Sequence, residues 1–485
     1  MKKINRRRFL SLSSSSAITV LIAQCSNGNT KENEEKFQTF SSEHKINQSQ
    51  DGILEVNLIA NINKINLGNK QAYVLNYNGQ IPGPRLEAKP GDTIRVNFIN
   101  NLPQPTNIHY HGLHIPITGN ADNVFLKIAP GDRLTYQFQI PQNHPAGLFW
   151  YHPHLHGLTA EQLFGGLAGL FIVRGELDEI PEVKAAEEKF LVLQDFALDR
   201  RGNLLPSQEL SIMTGREGDL ITINSQSQPN LTIPTQGLLR LRILNASTSR
   251  FYRLSLEEHP FYLIATDGGA LTEPIEMSEL LLTPGERTDI LIQANREPGK
   301  YRLLNLPYKR VGVWMMGRGM MGGNAPENQP QVLATVSYES KVAAVPLPTK
   351  LIPVEALPEA QKLRRFQMNH GMIPGQGMAF LFNGQPYQVE RIDTQVQLNT
   401  VEDWELINAG MMDHPFHVHG NAFQVVSRNG KPEPYLAWKD VVLVRPGEKV
   451  LIRMPFRDFP GKTVHHCHIL DHEDLGMMGN LKIQA

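Results

Sequence analysis

The feature of the 485-residue sequence that most limits its fold is a group of strand and turn signals that occurs three times in the same order. Each copy has a short Asn-x-Gln turn, then a strand that ends in Asn, then a Pro-Gly-acid turn. The turns lie at 78–80, 224–226 and 383–385, the strand ends at Asn100, Asn245 and Asn408, and the prolines at Pro130, Pro284 and Pro446. A period of about 150 residues predicts three similar domains rather than a solenoid of short repeats.

The pattern inside each copy is that of β-strands. Apolar and polar residues alternate at 93–99, 134–140, 239–244 and 450–454, and Gly, Pro and Asn bound these segments. Alternation with a period of two is typical of half-buried strands in sandwiches or barrels. Helical patterns are short and are expected only near 183–189 and 359–365. The sequence therefore predicts an all-β chain with domains at 51–178, 179–340 and 341–485.

The first 50 residues are expected to direct export rather than to fold. Residues 5–10 read N-R-R-R-F-L and precede a weakly apolar stretch, so that residues 1–25 resemble a twin-arginine signal peptide. The alternative is a basic disordered terminus. Export in folded form to the periplasm or the extracellular space is the expectation, with Cys25 a candidate lipid anchor and residues 26–50 a polar tether.

Overall composition excludes some classes of function. Lys and Arg number 47 and Asp and Glu 48, a balance that argues against a nucleic-acid-binding protein. Two cysteines, Cys25 and Cys467, cannot build a disulfide framework. We expect a monomer whose one contact with a membrane is the candidate anchor.

Histidines are concentrated in four clusters in the outer two domains. They lie at 109–111, 152–154, 414–419 and 466–472, whereas the middle domain contains only His259. Side chains two residues apart on a strand point to the same side, so each H-x-H pair offers two imidazoles to one place. This pattern predicts a metal cluster.

Cys467 predicts a second kind of metal site. With His414, His472 and Met477 it supplies one thiolate, two imidazoles and a weak thioether, the ligand set of blue-copper electron-transfer sites. Zinc normally takes four firm ligands and is disfavoured. The other eight histidines carry no carboxylate or thiolate among them, a set that also suits copper.

Four complete motifs make the sequence resemble the multicopper oxidases, the family of laccases, ascorbate oxidase and bacterial cuprous oxidases. The motifs are H-x-H-G at 109–112, H-x-H at 152–154, H-P-x-H-x-H at 414–419 and H-C-H-x₃-H-x₄-M at 466–477. Segments 77–84 (Y-N-G-Q-I-P-G-P) and 165–169 (G-G-L-A-G) are also similar to the family. The resemblance implies three Greek-key cupredoxin-like barrels in tandem.

The resemblance further implies four copper ions and O₂ as the electron acceptor. A type 1 copper would be held by His414, Cys467, His472 and Met477, and a type 2 copper by His109 and His417. Two type 3 coppers would be held by His111, His152, His154, His419, His466 and His468, in a trinuclear cluster between domains one and three. Glu473 matches the proton-relay acid of the family, and Asp122 is the match to its second acid.

Methionines suggest which reductant donates the electrons. Thioethers prefer Cu(I), and Met315, Met316, Met320, Met321, Met411 and Met412 are candidate contacts for it. The cuprous-oxidase pattern has an Asp where Gly410 stands, so oxidation of phenols or aromatic amines stays open. The alternatives are a copper-sequestering tolerance protein with incidental turnover and a relative that has lost copper, which the complete ligand set disfavours.

Overall fold

A computed structural model describes residues 45–310, 329–375 and 377–485, without the side chains of residues 209–211. The regular secondary structure of these parts of the chain is mostly β-strand. Their helices are short: α1 (Thr159–Phe164), α2 (Glu176–Glu179), α3 (Pro181–Ala185), α4 (Glu209–Thr214) and α5 (Leu470–Asp474). None of the described helices has the length and hydropathy needed to span a bilayer. The predicted signal peptide and Cys25 lie outside the described residues.

The first pair of sheets contains nine strands around one apolar core. One sheet has the order β1-β4-β9-β8-β6 and the other β3-β2-β5-β7. The bounds are β1 (Ile46–Gln48), β2 (Ile53–Leu67), β3 (Lys70–Tyr77), β4 (Gly83–Ala88), β5 (Thr93–Asn100), β6 (His109–His111), β7 (Arg133–Gln139), β8 (Gly147–His152) and β9 (Gly169–Val173). Strand β1 pairs with β4, so residues 46–48 of the expected tether belong to a sheet.

The second pair of sheets follows the same plan. Its orders are β11-β10-β13-β18-β15-β16 and β12-β20-β19-β14-β17. The bounds are β10 (Glu187–Phe196), β11 (Leu220–Ile223), β12 (Asn230–Thr235), β13 (Leu238–Asn245), β14 (Tyr252–Leu256), β15 (Phe261–Thr266), β16 (Gly269–Met277), β17 (Leu280–Leu282), β18 (Arg287–Gln293), β19 (Lys300–Leu306) and β20 (Gln331–Lys341).

The third pair of sheets completes the chain. One sheet has the order β22-β21-β24-β30-β26-β27, with β28 beside β26, and the other β23-β32-β31-β25-β29. The bounds are β21 (Lys362–Ile373), β22 (Gly377–Phe382), β23 (Thr394–Gln397), β24 (Thr400–Asn408), β25 (His414–Val418), β26 (Phe423–Arg428), β27 (Lys431–Pro432), β28 (Trp438–Lys439), β29 (Val441–Val444), β30 (Lys449–Phe456), β31 (Gly461–Cys467) and β32 (Met478–Gln484).

The repeated Asn-x-Gln turn has the same geometry in all three copies. Asn78, Asn224 and Asn383 all have positive φ, near +50°, a conformation that Asn tolerates better than most residues. Each side-chain oxygen accepts a backbone N–H from a neighbouring strand. The donors are Ile59 at 2.6 Å, Val192 at 2.8 Å and Gln367 at 2.8 Å. The turn therefore fixes which strand comes next to it.

The repeated Asn at the strand end is buried and holds the loop that follows it through hydrogen bonds. In each copy its side-chain oxygen accepts the N–H two residues later, and its amide donates to two carbonyls. Its backbone oxygen accepts the N–H of the Pro-Gly glycine. Those glycines are Gly131 at 2.7 Å, Gly285 at 2.9 Å and Gly447 at 3.0 Å. The two signals recur together because they are hydrogen-bonded to each other.

The expectation of tandem β-barrels is confirmed, and one helix prediction is wrong. Residues from 362 onward in the 359–365 segment belong to β21, where Lys362 to Met368 pairs in parallel with β24. A neighbouring strand that the local sequence does not reveal decides the conformation there. Near 183–189, the chain forms the single turn of α3 and then enters β10.

Short helix α5 is held by contacts with distant parts of the chain. Asp474 accepts N–H groups from Gly157 at 2.7 Å and Ala160 at 2.9 Å, beside the start of α1. Asp471 Oδ1 accepts two hydrogen bonds from Arg216, from Nη2 at 2.6 Å and from Nε at 2.9 Å. These contacts fix the position of the residues between them, including His472 and Glu473.

Candidate metal centres

The first candidate metal site surrounds the Cys467 thiol inside the third pair of sheets. Cys467 ends β31 opposite Phe416 of β25, whose first residue is His414, and His472 comes from α5. The Cys467 sulfur lies 3.5 Å from His414 Nδ1 and 3.8 Å from His472 Nδ1. All three side chains are fully buried.

These distances fit a metal ion between the three atoms. Metal–nitrogen and metal–sulfur bonds of about 2.0 and 2.3 Å at a trigonal angle separate the two ligand atoms by about 3.7 Å. His472 Nε2 lies 3.2 Å from the Met213 carbonyl oxygen, where an N–H donates, so Nδ1 is left free as a ligand. Burial raises the pKa of the Cys467 thiol, so a thiolate here needs a cation beside it.

Apolar groups enclose this site. Met477 is fully buried in the same core, and its carbonyl oxygen accepts the N–H of Cys467 at 3.0 Å. The Phe380 ring stacks on His472 with a centroid distance of 3.8 Å and an angle of 15°. Exclusion of water by such residues is one of the factors that set the redox potential of a bound metal.

The other eight predicted ligands form one buried cluster where the first and third pairs of sheets meet. His109 of β6 lies opposite His152 of β8, and His417 of β25 lies opposite His466 of β31. All eight side chains are almost or completely buried: His109, His111, His152, His154, His417, His419, His466 and His468.

The rings of this cluster are close enough to share metal ions. The Nε2 atom of His466 lies 3.1 Å from Nε2 of His154 and 3.0 Å from Nε2 of His419. Pairs of rings from different domains also stack: His109 on His419 at 3.7 Å and His111 on His417 at 3.9 Å. Unprotonated nitrogens at this separation repel one another unless a proton or a cation lies between them.

Unpartnered nitrogens in the cluster fit the metal hypothesis. Buried polar atoms without a hydrogen bond are rare in proteins. Among the described residues they include His109 Nε2, His111 Nδ1, His152 Nε2, His417 Nε2, His419 Nδ1 and both nitrogens of His468. Burial lowers the pKa of all ten histidines of the two sites, so that at neutral pH they are uncharged and able to bind a metal.

Asp122 contacts the cluster directly. Its Oδ1 atom lies 2.8 Å from His109 Nδ1 and accepts the Tyr110 N–H at 2.8 Å. The carboxylate therefore holds the His109 proton on Nδ1 and leaves Nε2 free. Burial raises the pKa of Asp122 to about 8. Asp122 was expected as the match to the second acid of the family that the sequence resembles, and the structure places it in contact with a predicted ligand.

Asp440 has an equivalent position that sequence reasoning missed. Its Oδ1 atom lies 3.0 Å from His111 Nε2, and its backbone oxygen lies 2.7 Å from His417 Nδ1. An acid directly before the fully buried apolar strand β29 was the available signal. Burial raises the pKa of Asp440 to about 6, and the neighbouring Arg287 opposes this shift.

Glu473 lies between ligands from two domains. Its carboxylate is 3.2 Å from His466 Nδ1 and 3.8 Å from His154 Nδ1, and it accepts a hydrogen bond from the Thr159 hydroxyl at 3.1 Å. Burial raises the pKa of Glu473 well above its usual range. A carboxyl group that keeps its proton at neutral pH can donate it beside the cluster.

The candidate methionines divide into three groups. Met411 is half exposed beside the Cys467 site, whereas Met412 is 1% exposed and packs in the core of the third pair of sheets. The remaining candidates, Met315, Met316, Met320 and Met321, lie outside the described residues. The Met411 side chain is therefore accessible at the surface, while Met412 has a core position.

Comparison with protein families identifies the chain. Three family models, each described as multicopper oxidase, match residues 59–178, 189–340 and 356–485. Together they cover most of the sequence, including all of the histidines of the two candidate sites.

Individual relatives agree with these matches. The multicopper oxidase mco of Staphylococcus haemolyticus is 31% identical over 426 residues, which are 86% of this chain and 85% of that protein. The structure of a Campylobacter jejuni multicopper oxidase, described as a metallo-oxidase, superposes with a TM-score of 0.80 and 32% identity, covering 91% of this chain and 96% of that one. The cell division protein FtsP of Photorhabdus laumondii is 29% identical over 85% of this chain and 86% of its own length. The chain belongs to the multicopper oxidase family, and its three β-barrels are cupredoxin-like domains.

Proposed function

We propose that this protein oxidises a small reductant at a type 1 copper and reduces O₂ to water at a trinuclear copper cluster. The type 1 ion would be held by His414, Cys467, His472 and Met477. The type 2 ion would be held by His109 and His417, and the type 3 pair by His111, His152, His154, His419, His466 and His468. The observation that supports this most strongly is the complete buried donor set, in which several ring nitrogens have no hydrogen-bond partner within residues 45–310, 329–375 and 377–485.

Copper in these positions supplies one-electron oxidation of the reductant and four-electron reduction of O₂ to two waters. The chain contributes the connection between the two sites. His466, Cys467 and His468 are consecutive, and the cysteine points away from the two imidazoles on the same stretch of backbone. Both candidate sites therefore share one rigid segment, anchored to β25 by the pairs Phe416–Cys467 and His417–His466.

Carboxyl groups at the cluster would donate protons and hold the histidine rings in their orientations. Asp122 and Asp440 fix the tautomers of His109 and His111, so that each ring offers its free nitrogen to the cluster. Glu473 has no solvent exposure and a raised pKa, and its carboxylate lies between His466 of the third domain and His154 of the first. We assign it as the main proton donor for O₂ reduction, with Asp122 as the second acid.

We propose the chemical class of the reductant, which is a one-electron donor. Phenols, aromatic amines and Cu(I) all donate single electrons, and the half-exposed thioether of Met411 lies two residues before Asp413 and three before His414. A thioether at the rim favours Cu(I), and a role in copper tolerance follows if Cu(I) is the physiological reductant. We propose Met315, Met316, Met320 and Met321 as further contacts for Cu(I) on the basis of the sequence. We further propose a monomer that is exported in folded form, with Cys25 as its candidate lipid anchor.

Reconstitution with copper tests the function. The purified protein should bind four coppers per chain and show a blue absorption band. It should consume O₂ with at least one reductant among Cu(I), a phenol and an aromatic amine. The control is Cys467→Ser, which should lose the blue band and O₂ uptake together. Copper binding by the natural protein without turnover on any of the three would instead indicate a sequestering protein.

A further inference from the structure

Arg287 lies at the junction of all three domains with every one of its side-chain donors in use. It begins β18 in the second domain and has no solvent exposure. The guanidinium makes a bidentate pair with Asp440 of the third domain, with both N–O distances 2.6 Å. Its remaining three N–H bonds reach backbone carbonyls, those of Leu148 at 3.0 Å, Gly285 at 3.2 Å and Asp267 at 2.9 Å. The five donors of an arginine are thus all satisfied.

The same ion pair determines how two cluster histidines are held. Asp440 contacts His111 through its carboxylate and His417 through its backbone oxygen. Bidentate pairing leaves the carboxylate one orientation, because both oxygens are bound in the guanidinium plane. The positions of His111, from the first domain, and His417, from the third, therefore depend on an arginine of the second.

Two glycines make room for this arrangement. A Cβ on Gly112 would lie 2.3 Å from an Arg287 terminal nitrogen and 2.6 Å from an Asp440 oxygen. A Cβ on Gly285 would lie 2.8 Å from His468 Nε2. At the glycines of the other two Pro-Gly turns, Gly131 and Gly447, no atom of the described residues lies within 4 Å of the corresponding position. In the part of the chain that the structure describes, the middle one of the three repeated turns packs against the cluster and the other two do not.

We infer that Arg287 is a positioning residue for the trinuclear cluster, and that through it the middle domain, which holds no ligand, fixes the geometry of the copper site. This inference rests on the proposed function. Without Arg287, Asp440 would be a buried acid without its bidentate partner, and its hold on His111 Nε2 would be lost. Mutation of a residue that holds a metal ligand in place typically changes metal affinity by about 10- to 100-fold.

The test compares Arg287→Gln with Arg240→Gln. Arg240 is a control of the same type and domain, because it is 3% exposed and pairs with Asp289 at 3.0 Å without contacting the cluster. Each protein is loaded with copper and titrated with a copper chelator of known affinity. The readouts are copper per chain, the type 2 signal in electron paramagnetic resonance and the blue band. We expect Arg287→Gln to lose cluster copper at about 10- to 100-fold lower chelator concentration, with its blue band kept. Arg240→Gln should match the natural protein in all three readouts.

A second variant approaches the same ion pair from the first domain. Gly112→Ala would push a methyl group into the Arg287–Asp440 pair, and Gly131→Ala is its control for backbone strain, since the two glycines have φ of +86° and +83°. Only Gly112→Ala should weaken cluster copper, and it serves alone if Arg287→Gln does not fold. Cluster-copper affinity in Arg287→Gln or Gly112→Ala within twofold of the natural protein would overturn the inference. Equal loss of blue and cluster copper would also overturn it. Absence of copper binding by the natural protein would refute the proposed function instead.

Discussion

Replacement of Asn408 by alanine tests the claim that the hydrogen bonds of the strand-end asparagine stabilise each repeat. Its buried side chain makes three hydrogen bonds, to the Met412 carbonyl at 2.7 Å, the Val444 carbonyl at 2.9 Å and the Gly410 N–H at 2.9 Å. A buried hydrogen bond contributes about 1 kcal/mol net, so losing three costs about 3 kcal/mol of unfolding free energy. The loop that these bonds fix leads directly into His414.

The assay is urea unfolding of the copper-free protein, followed by circular dichroism, with the blue band of the copper-loaded protein measured separately. Asn100→Ala is the matched control, because Asn100 makes the corresponding three bonds in the first repeat, whose Pro-Gly turn does not pack against the cluster among the described residues. Both variants should lose about 3 kcal/mol, and only Asn408→Ala should alter the blue band. A loss of unfolding free energy below about 1 kcal/mol in both variants would refute the claim that the strand-end asparagine stabilises each repeat. An altered blue band in Asn100→Ala as well would refute the link to His414.

Three further results are expected. Neither ring nitrogen of the buried His465 has a hydrogen-bond partner among the described residues, and aromatic rings surround it, so His465→Phe should stabilise the protein by about 1–2 kcal/mol in urea unfolding; destabilisation would show that the nitrogens are satisfied. Burial lowers the pKa of His144 to about 4, so the imidazole binds a proton more readily in the unfolded chain, and the unfolding free energy falls as the pH drops from 6.5 towards 4. His144→Gln should reduce the loss of unfolding free energy between pH 7 and pH 4.5 by about 2–3 kcal/mol, and an identical loss in both proteins would contradict this. Glu473→Gln should slow O₂ uptake by about 10²- to 10⁴-fold while substrate still bleaches the blue band in the absence of O₂; normal uptake would remove Glu473 from proton delivery.

Local sequence was sufficient for the elements whose geometry is local. Spacing by two residues on a strand places the paired imidazoles together, and the Asn and Pro-Gly signals correspond to hydrogen bonds within each repeat. The ligand types of the Cys467 site were also readable, because one thiolate and two imidazoles restrict the metals that fit. These features depend on residues that are close in sequence or unusual in chemistry.

The rest depends on contacts between distant segments. Asp440 and Arg287 are 153 residues apart, and only the packing of the domains reveals that they meet beside the cluster. The strand at Lys362–Ile373 forms because β24 lies next to it, which its helix-like composition does not show. Met412 looked like a substrate contact in sequence, yet its side chain packs in the core, and Met411 beside it faces outward.

The stoichiometry of the reaction tests the central proposal most directly. A known amount of a one-electron reductant is added to the copper-loaded protein in a closed cell, and O₂ consumption and peroxide are measured together. The proposal predicts four reductant molecules oxidised per O₂ consumed and no peroxide, because the cluster formed by the eight buried histidines completes the reduction to water. Two molecules oxidised per O₂, with peroxide released, would contradict it.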